Sequence, residues 1–170
     1  MTSDGIRRFC SMEKTHSIDT CCFTGHRNLR GRGEILSEKL RDTIAMLYSR
    51  GYRRFVCGGA VGFDTLAASA VIDSKLYFPD IRLILMIPCR NQASRWTRDR
   101  INEYNRIYMA ADEREIMSEL YTPGCMQARD RAMVDRSSLC VCFMFHEGGG
   151  TAYTVGYAEK EGLEIINLAE

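Results

Sequence analysis

The chain has 170 residues, 45% of them apolar and 26% charged, an ordinary globular composition that can bury a core without disulfides. Its 23 basic and 22 acidic residues leave a net charge of +1, which argues against a surface dominated by nucleic-acid contacts, so a nucleic-acid partner is not expected. No apolar run approaches the ~20 residues that span a bilayer, and Met1 to Asp19 lacks the continuous apolar segment of a signal peptide, so no membrane contact and a cytoplasmic location are expected.

Residues 1–19 read as an N-terminal leader, with a short element around Ile6 to Met12, ahead of a single domain over 20–170. The first strand is Thr20 to Thr24, and Asn28 to Glu34 is a loop. Leu36, Leu40, Ile44 and Leu47 recur at helical spacing, which predicts a helix over Ser37 to Arg50 ended by Gly51. Strand two is Arg54 to Cys57, followed by an alanine-rich helix over Asp64 to Lys75. Pro79-Asp80 turns the chain into strand three, Ile81 to Ile87, which Pro88 stops. A helix is expected over 93–111, a short strand near Ile116 to Leu120, and a helix over Gln127 to Ser137. Leu139 to Phe145 is the most apolar strand; Thr151 to Lys160 and Glu164 to Leu168 give the last helix and strand.

Strands alternate with helices, and several strands are apolar on consecutive residues, so both of their faces are covered. That predicts an α/β fold with a doubly wound, mainly parallel sheet in three α/β/α layers. The cysteines fit this reading: Cys21, Cys22, Cys57, Cys140 and Cys142 lie inside strand-like runs and read as core thiols of a reducing compartment. Cys140 and Cys142 are strand neighbours rather than loop ligands, so no metal site is expected.

Three glycine-bearing turns follow apolar runs: Thr24-Gly25-His26-Arg27, Gly58-Gly59-Ala60-Val61-Gly62-Phe63-Asp64 and Gly148-Gly149-Gly150-Thr151. A glycine turn opening onto a helix presents bare N–H groups at the positive end of a helix dipole, which suits phosphate. In doubly wound sheets such turns meet at the carboxyl ends of the strands, where ligands bind. The second turn lacks the lysine and hydroxyl residue of a Walker A loop. Its three glycines favour ligand binding over a purely structural turn, with Asp64 as helix N-cap or as partner of a ribose hydroxyl.

Arg27 is expected to clamp a phosphate; His26 beside it reads as a base or only a hydrogen-bond donor, and as a lone histidine it is assigned no catalytic role. Glu147, the carboxylate beside the third turn, is a candidate acid or base or else a solvated loop residue. Arg129 and Arg131 lie two apart on one helix and diverge, so one faces the pocket and the other solvent. Trp96 with Arg95, Arg98 and Arg100 could stack a base, but the preferred reading is a buried aromatic under a charged outer face.

The segments CCFTGHR, VCGGAVGFDTLAA, ARDRAMVD and CVCFMFHEGGGTAYTVGYA resemble the SLOG superfamily, particularly its YpsA-like branch of small bacterial proteins. The superfamily has a Rossmann-like fold and includes the Lonely Guy phosphoribohydrolases and the DNA-processing protein A family. The resemblance implies a nucleotide-type ligand, with Gly25, Arg27, Gly58, Gly59, Asp64, Gly149, Gly150 and Thr151 in the pocket. The phosphoribohydrolases carry a GGxGTxxE pattern with a catalytic glutamate; Tyr153 and Thr154 stand at those positions here, and the family's helix arginine matches Arg131, or Arg129 with a small shift.

The function expected is therefore binding of a nucleotide, nucleotide-sugar or ADP-ribose-like ligand by a sensor or regulatory module, with no other cofactor. The pocket set is Gly25, His26, Arg27, Gly58, Gly59, Ala60, Gly62, Asp64, Arg129, Gly148, Gly149, Gly150 and Thr151. One alternative is N-glycosidic hydrolysis of a nucleotide, with Glu147 or Asp64 as the carboxylate and Arg131 as its catalytic partner. Another is single-stranded nucleic-acid binding through Arg27, Arg30 and Arg32. Tyr104 and Tyr108, read as exposed, permit a homodimer, which the resemblance favours; a protein partner would read the sensor.

Overall fold

The computed structural model describes residues 16–170. The expected element at Ile6 to Met12 and most of the expected leader lie outside them. Eleven elements follow: β1 Thr20–Gly25, α1 Gly33–Ser49, β2 Arg54–Cys57, α2 Phe63–Ser74, β3 Arg82–Ile87, α3 Arg98–Ala110, β4 Glu113–Ile116, α4 Cys125–Arg136, β5 Leu139–Phe143, α5 Gly149–Lys160 and β6 Glu164–Asn167.

The six strands form one sheet in the order β4-β3-β2-β1-β5-β6, and every pairing is parallel. Alternate side chains of each strand go to opposite faces. Cys21 and Phe23, Phe55 and Cys57, Leu83 and Leu85, and Val141 and Phe143 pack with α1, α2 and α3. Cys22, Val56, Ile84, Met86, Cys140 and Cys142 pack with α4 and α5. This is the doubly wound α/β/α arrangement expected from the apolar runs. The seven described cysteines are free and buried.

On the first face, Phe23 sits between Phe55 and Phe63 at ring-centroid distances of 6.1 and 6.5 Å, and Phe63 stacks on Phe143 at 6.0 Å. Truncating any of these to Ala costs about 3–5 kcal/mol. α1 lays Leu36, Leu40, Ile44 and Leu47 against this layer. α2 buries Ala67, Ala68, Ala70 and Val71, whose small side chains bring its backbone close to the sheet.

Several boundaries differ from the sequence reading. α1 begins at Gly33 rather than Ser37: the Leu36 N–H already bonds the Arg32 carbonyl at 2.9 Å, and the Ser37 hydroxyl donates to the Gly33 carbonyl at 2.8 Å within that turn. α3 begins only at Arg98, since Thr97 is extended and turns fill 91–96. The edge strand β4 is Glu113–Ile116, upstream of the stretch expected, and is exposed along three of its four residues. Tyr104 and Tyr108, expected on the surface, are half-buried and packed against the core. No helix among the described residues is long and apolar enough to cross a membrane.

The chain winds outward from β1 through β2 and β3 to β4, then crosses back to place β5 on the other side of β1. That reversal is the switch point of the sheet. The loops leaving β1 and β5 diverge there and open a crevice at the carboxyl ends of the strands.

Candidate functional site

The crevice is a cleft of about 390 Å³. Thr24, Gly25, His26 and Arg27 enter it from β1, Ala60 and Asp64 from the turn after β2, and His146, Gly148, Gly149, Gly150 and Thr151 from the turn after β5. Met126, Arg129, Asp130 and Met133 of α4 form the remaining wall. These four are spaced i, i+3, i+4, i+7 and so share one helical face. That spacing was present in the sequence, yet only Arg129 was singled out; Asp130, Met126 and Met133 were missed, as was His146.

The glycines divide into two kinds. Gly58, Gly59 and Gly62 do not line the cleft, contrary to expectation; each admits a close neighbour instead. A Cβ on Gly58 would stand 2.5 Å from Arg129 Nη1 and 2.9 Å from Asp64 Oδ2. At Gly62, whose φ is +87°, it would stand 2.3 Å from the Arg27 carbonyl oxygen. Gly59 offers its carbonyl to Gln92 Nε2 at 3.1 Å. Gly25 lines the cleft but also clears room for Phe63, whose Cγ would lie 2.4 Å from a Cβ there. Around Gly149 and Gly150 there is open space, and these two with Thr151 form the first turn of α5. The four leading N–H groups of a helix have no intrahelical partner, and no acidic side chain lies in this turn.

α2 begins differently. Gly62 is its N-cap, and Asp64 sits inside the first turn rather than capping it. The Asp64 carboxylate turns back to accept the Ala60 N–H at 3.3 Å. An anion supplied by the chain itself thus faces the turn that was expected to take a phosphate. Burial pushes the Asp64 carboxyl up to about 6, against the opposing attraction of Arg129, with Asp130 adding to the rise.

Arg129 is buried, and two of its three nitrogens hold partners. Nη1 donates to the Gly58 carbonyl at 2.5 Å and to the Met86 carbonyl at 3.4 Å, while Nε pairs with Asp130 at 2.7 Å. It ties α4 to the ends of β2 and β3. Arg131, expected beside the chemistry, faces away from the cleft and donates to the Tyr153 hydroxyl at 2.6 Å. Arg27 is exposed at the cleft mouth with no ion pair to another described residue.

His26 is a positioning group. Its Nε2 accepts the Phe145 N–H at 3.3 Å, and its ring stacks on His146 at 4.0 Å, which links β1 to the loop before the glycines. Burial, then the His146 and Arg30 charges, hold its pKa below the usual histidine value. Glu147 is exposed and outside the cleft wall, because the loop turns His146 inward in its place.

A second compartment of about 570 Å³ adjoins the first, with Arg27 and Met126 lining both. Trp96, Arg95, Tyr121, Asn91 and Gln92 help to wall it. Trp96 is half-buried and meets Tyr104 edge-on at 5.5 Å, so the expectation of an aromatic beneath a purely charged face did not anticipate the hollow beside it.

A parallel, doubly wound sheet with a cleft at its switch point, edged by a glycine-started helix, defines a Rossmann-like protein. The comparisons place it more narrowly. The chain belongs to the YspA SLOG family, whose model matches residues 21–164, in agreement with the resemblance carried by the glycine segments. It is 30% identical over 138 residues to the uncharacterized SPbeta prophage-derived protein YoqJ of Bacillus subtilis (strain 168), covering 74% of this chain and 81% of the relative. It is 23% identical over 137 residues to a UPF0398 protein of Bacillus thuringiensis (strain Al Hakam), covering 79% of this chain and 74% of that one. Among solved structures, it is similar to DNA processing protein A of Helicobacter pylori, described by its single-stranded DNA binding mode, with a TM-score of 0.61 and 16% identity. DNA processing protein A of Streptococcus pneumoniae gives a TM-score of 0.62 and 17% identity. Each similarity covers 87% of this chain but only 64% and 49% of those longer chains, and at such identity it shows the fold alone.

Proposed function

We propose that the protein binds a nucleotide-type ligand as a sensor or regulatory module, with a phosphate on the first-turn N–H groups of α5 and Arg27 closing over it. The observation that carries this is the contrast between two helix starts. α2 carries the Asp64 carboxylate in its first turn, bonded to the Ala60 N–H of the preceding glycine turn, whereas the first turn of α5 has no acid, open space at Gly149 and Gly150, and the cleft before it. Helix N-termini of this kind hold anions through N–H donors and dipole together. The phosphate therefore belongs on the Gly148–Thr151 turn and not on the Gly58–Gly62 turn.

The test is a thermal-shift titration with AMP, ADP and ADP-ribose, each mixture then separated by chromatography. A ligand at a hundred times its Kd adds about 2.7 kcal/mol of stability. Arg27→Ala should weaken binding by roughly tenfold or more, in line with about 1.5–3 kcal/mol for a hydrogen bond to a charged group. No shift with any of the three compounds would sink the proposal.

A second reading rests on Asp64. A buried carboxyl in the cleft, pushed up to about 6, can hold or release a proton near neutrality, as N-glycosidic hydrolysis of the bound nucleotide requires. Released base in the chromatogram, lost in Asp64→Asn with binding retained, would support it; intact ligand throughout would leave a binding protein.

A further inference from the structure

The two compartments meet at Arg27 and Met126. Each alone falls within the range of about 300–1,000 Å³ typical of small-molecule sites, so a mononucleotide seated on α5 occupies one and leaves the other unused. The second is walled by a half-buried indole, an exposed phenol and Arg95. Flat aromatic faces beside a guanidinium suit a planar heterocycle; stacking of a base on an aromatic side chain is worth about 1–3 kcal/mol.

We propose that the compartment at Trp96 takes the second ring system of a dinucleotide-type ligand, whose pyrophosphate bridge passes Arg27. The proposal rests on the phosphate site at α5. A dinucleotide fits better than an oligonucleotide because the lining offers few cations. Of the arginines along both compartments, Arg129 is buried and its charge is already countered by the Asp130 carboxylate at 2.7 Å, which leaves Arg27 and Arg95 without an ion pair to another described residue. Two guanidiniums match one pyrophosphate, whereas a strand of nucleic acid carries a charge at every nucleotide.

Trp96 is the only tryptophan in the sequence, so its emission reports on this compartment directly. The experiment titrates the full chain with NAD, which has two rings on a pyrophosphate, and with AMP, following Trp96 fluorescence and, in parallel, calorimetry. NAD should quench the emission and bind at least tenfold more tightly than AMP. Trp96→Leu, read by calorimetry, and Tyr121→Ala at an exposed position should each erase most of that advantage while holding AMP affinity within twofold, which also shows that the variants fold. Equal affinity for NAD and AMP, unchanged by either variant, overturns the second compartment alone. Binding by neither overturns the phosphate site and this proposal with it. A short oligodeoxynucleotide that binds tenfold tighter than NAD overturns the dinucleotide in favour of a nucleic-acid strand.

Discussion

Burying a guanidinium is costly unless it is paired and hydrogen-bonded, and Arg129 sets Nη1 on the Gly58 and Met86 carbonyls and Nε on the Asp130 carboxylate. Gly58 makes this possible by having no side chain. Gly58→Ala places a methyl 2.5 Å from Arg129 Nη1 and 2.7 Å from Cζ, and neither can withdraw without losing those bonds. The expected cost is about 1–3 kcal/mol, read as a lower urea midpoint at unchanged m. Asp64 gives a pH signature. Its folded pKa, about 6, lies above the ordinary 3.8, so between those values the folded state binds more protons than the unfolded one. Stability is therefore greatest at the acid end and falls as pH rises from about 4 to 6, by a total of about 3 kcal/mol. His26 works the other way: its lowered pKa costs stability as pH falls below its ordinary 6.5. Subtracting the pH profile of Asp64→Asn from that of the parent cancels the histidine. The difference should decline from pH 4 to 6; a flat difference would mean that Asp64 ionises in the fold as it does in water.

α2 and α5 both start at a glycine after a buried strand, and their sequences look equivalent. Only the folded arrangement separates them, because a first-turn carboxylate reaching back to Ala60 N–H leaves no mark on the spacing of glycines. For the same reason the glycines needed by close packing, Gly25, Gly58 and Gly62, could not be told in sequence from Gly149 and Gly150, which face open space, since both kinds follow strands. The buried strands were legible since both faces are covered and each carries a run of consecutive apolar residues. β4 was not, because Glu-Arg-Glu-Ile on an exposed edge carries no apolar run. Gly150→Asp tests the role of α5. There is room for the side chain, and an acid in a first turn stabilises the dipole by about 0.3–1 kcal/mol, so Tm should hold or rise. The same charge occupies the phosphate position, so AMP binding should fall beyond detection. Unchanged AMP affinity in a folded Gly150→Asp protein would move the phosphate off α5.

For the molecule as a whole, the order of the strands sets the position of the site. Winding outward from β1 and returning at β5 brings three loops far apart in sequence to one edge, and that convergence was readable from alternating elements alone. What the alternation left hidden is the depth of the cleft wall, since α4 contributes a face spaced i, i+3, i+4, i+7 that mixes methionines with an arginine and an aspartate, and such a mixture shows no amphipathic stripe. The overall charge bears on the remaining alternative, a single-stranded nucleic acid, which a structural neighbour of similar fold is described as binding. Net charge is +1, and the uncommitted arginines along the two compartments are Arg27 and Arg95. Neutralising about two phosphates of a single strand gives a slope of log K against log salt near −1.4. Fluorescence titration of a short oligodeoxynucleotide across 50 to 300 mM salt measures this directly. Weak binding with a slope no steeper than roughly −1.4 is expected if the cleft is built for a small dinucleotide. A slope of about −4 or steeper would require four or more further cations drawn onto the strand, such as Arg30, Arg32, Arg98 and Arg100, and the protein would then belong functionally with its DNA-binding structural relative.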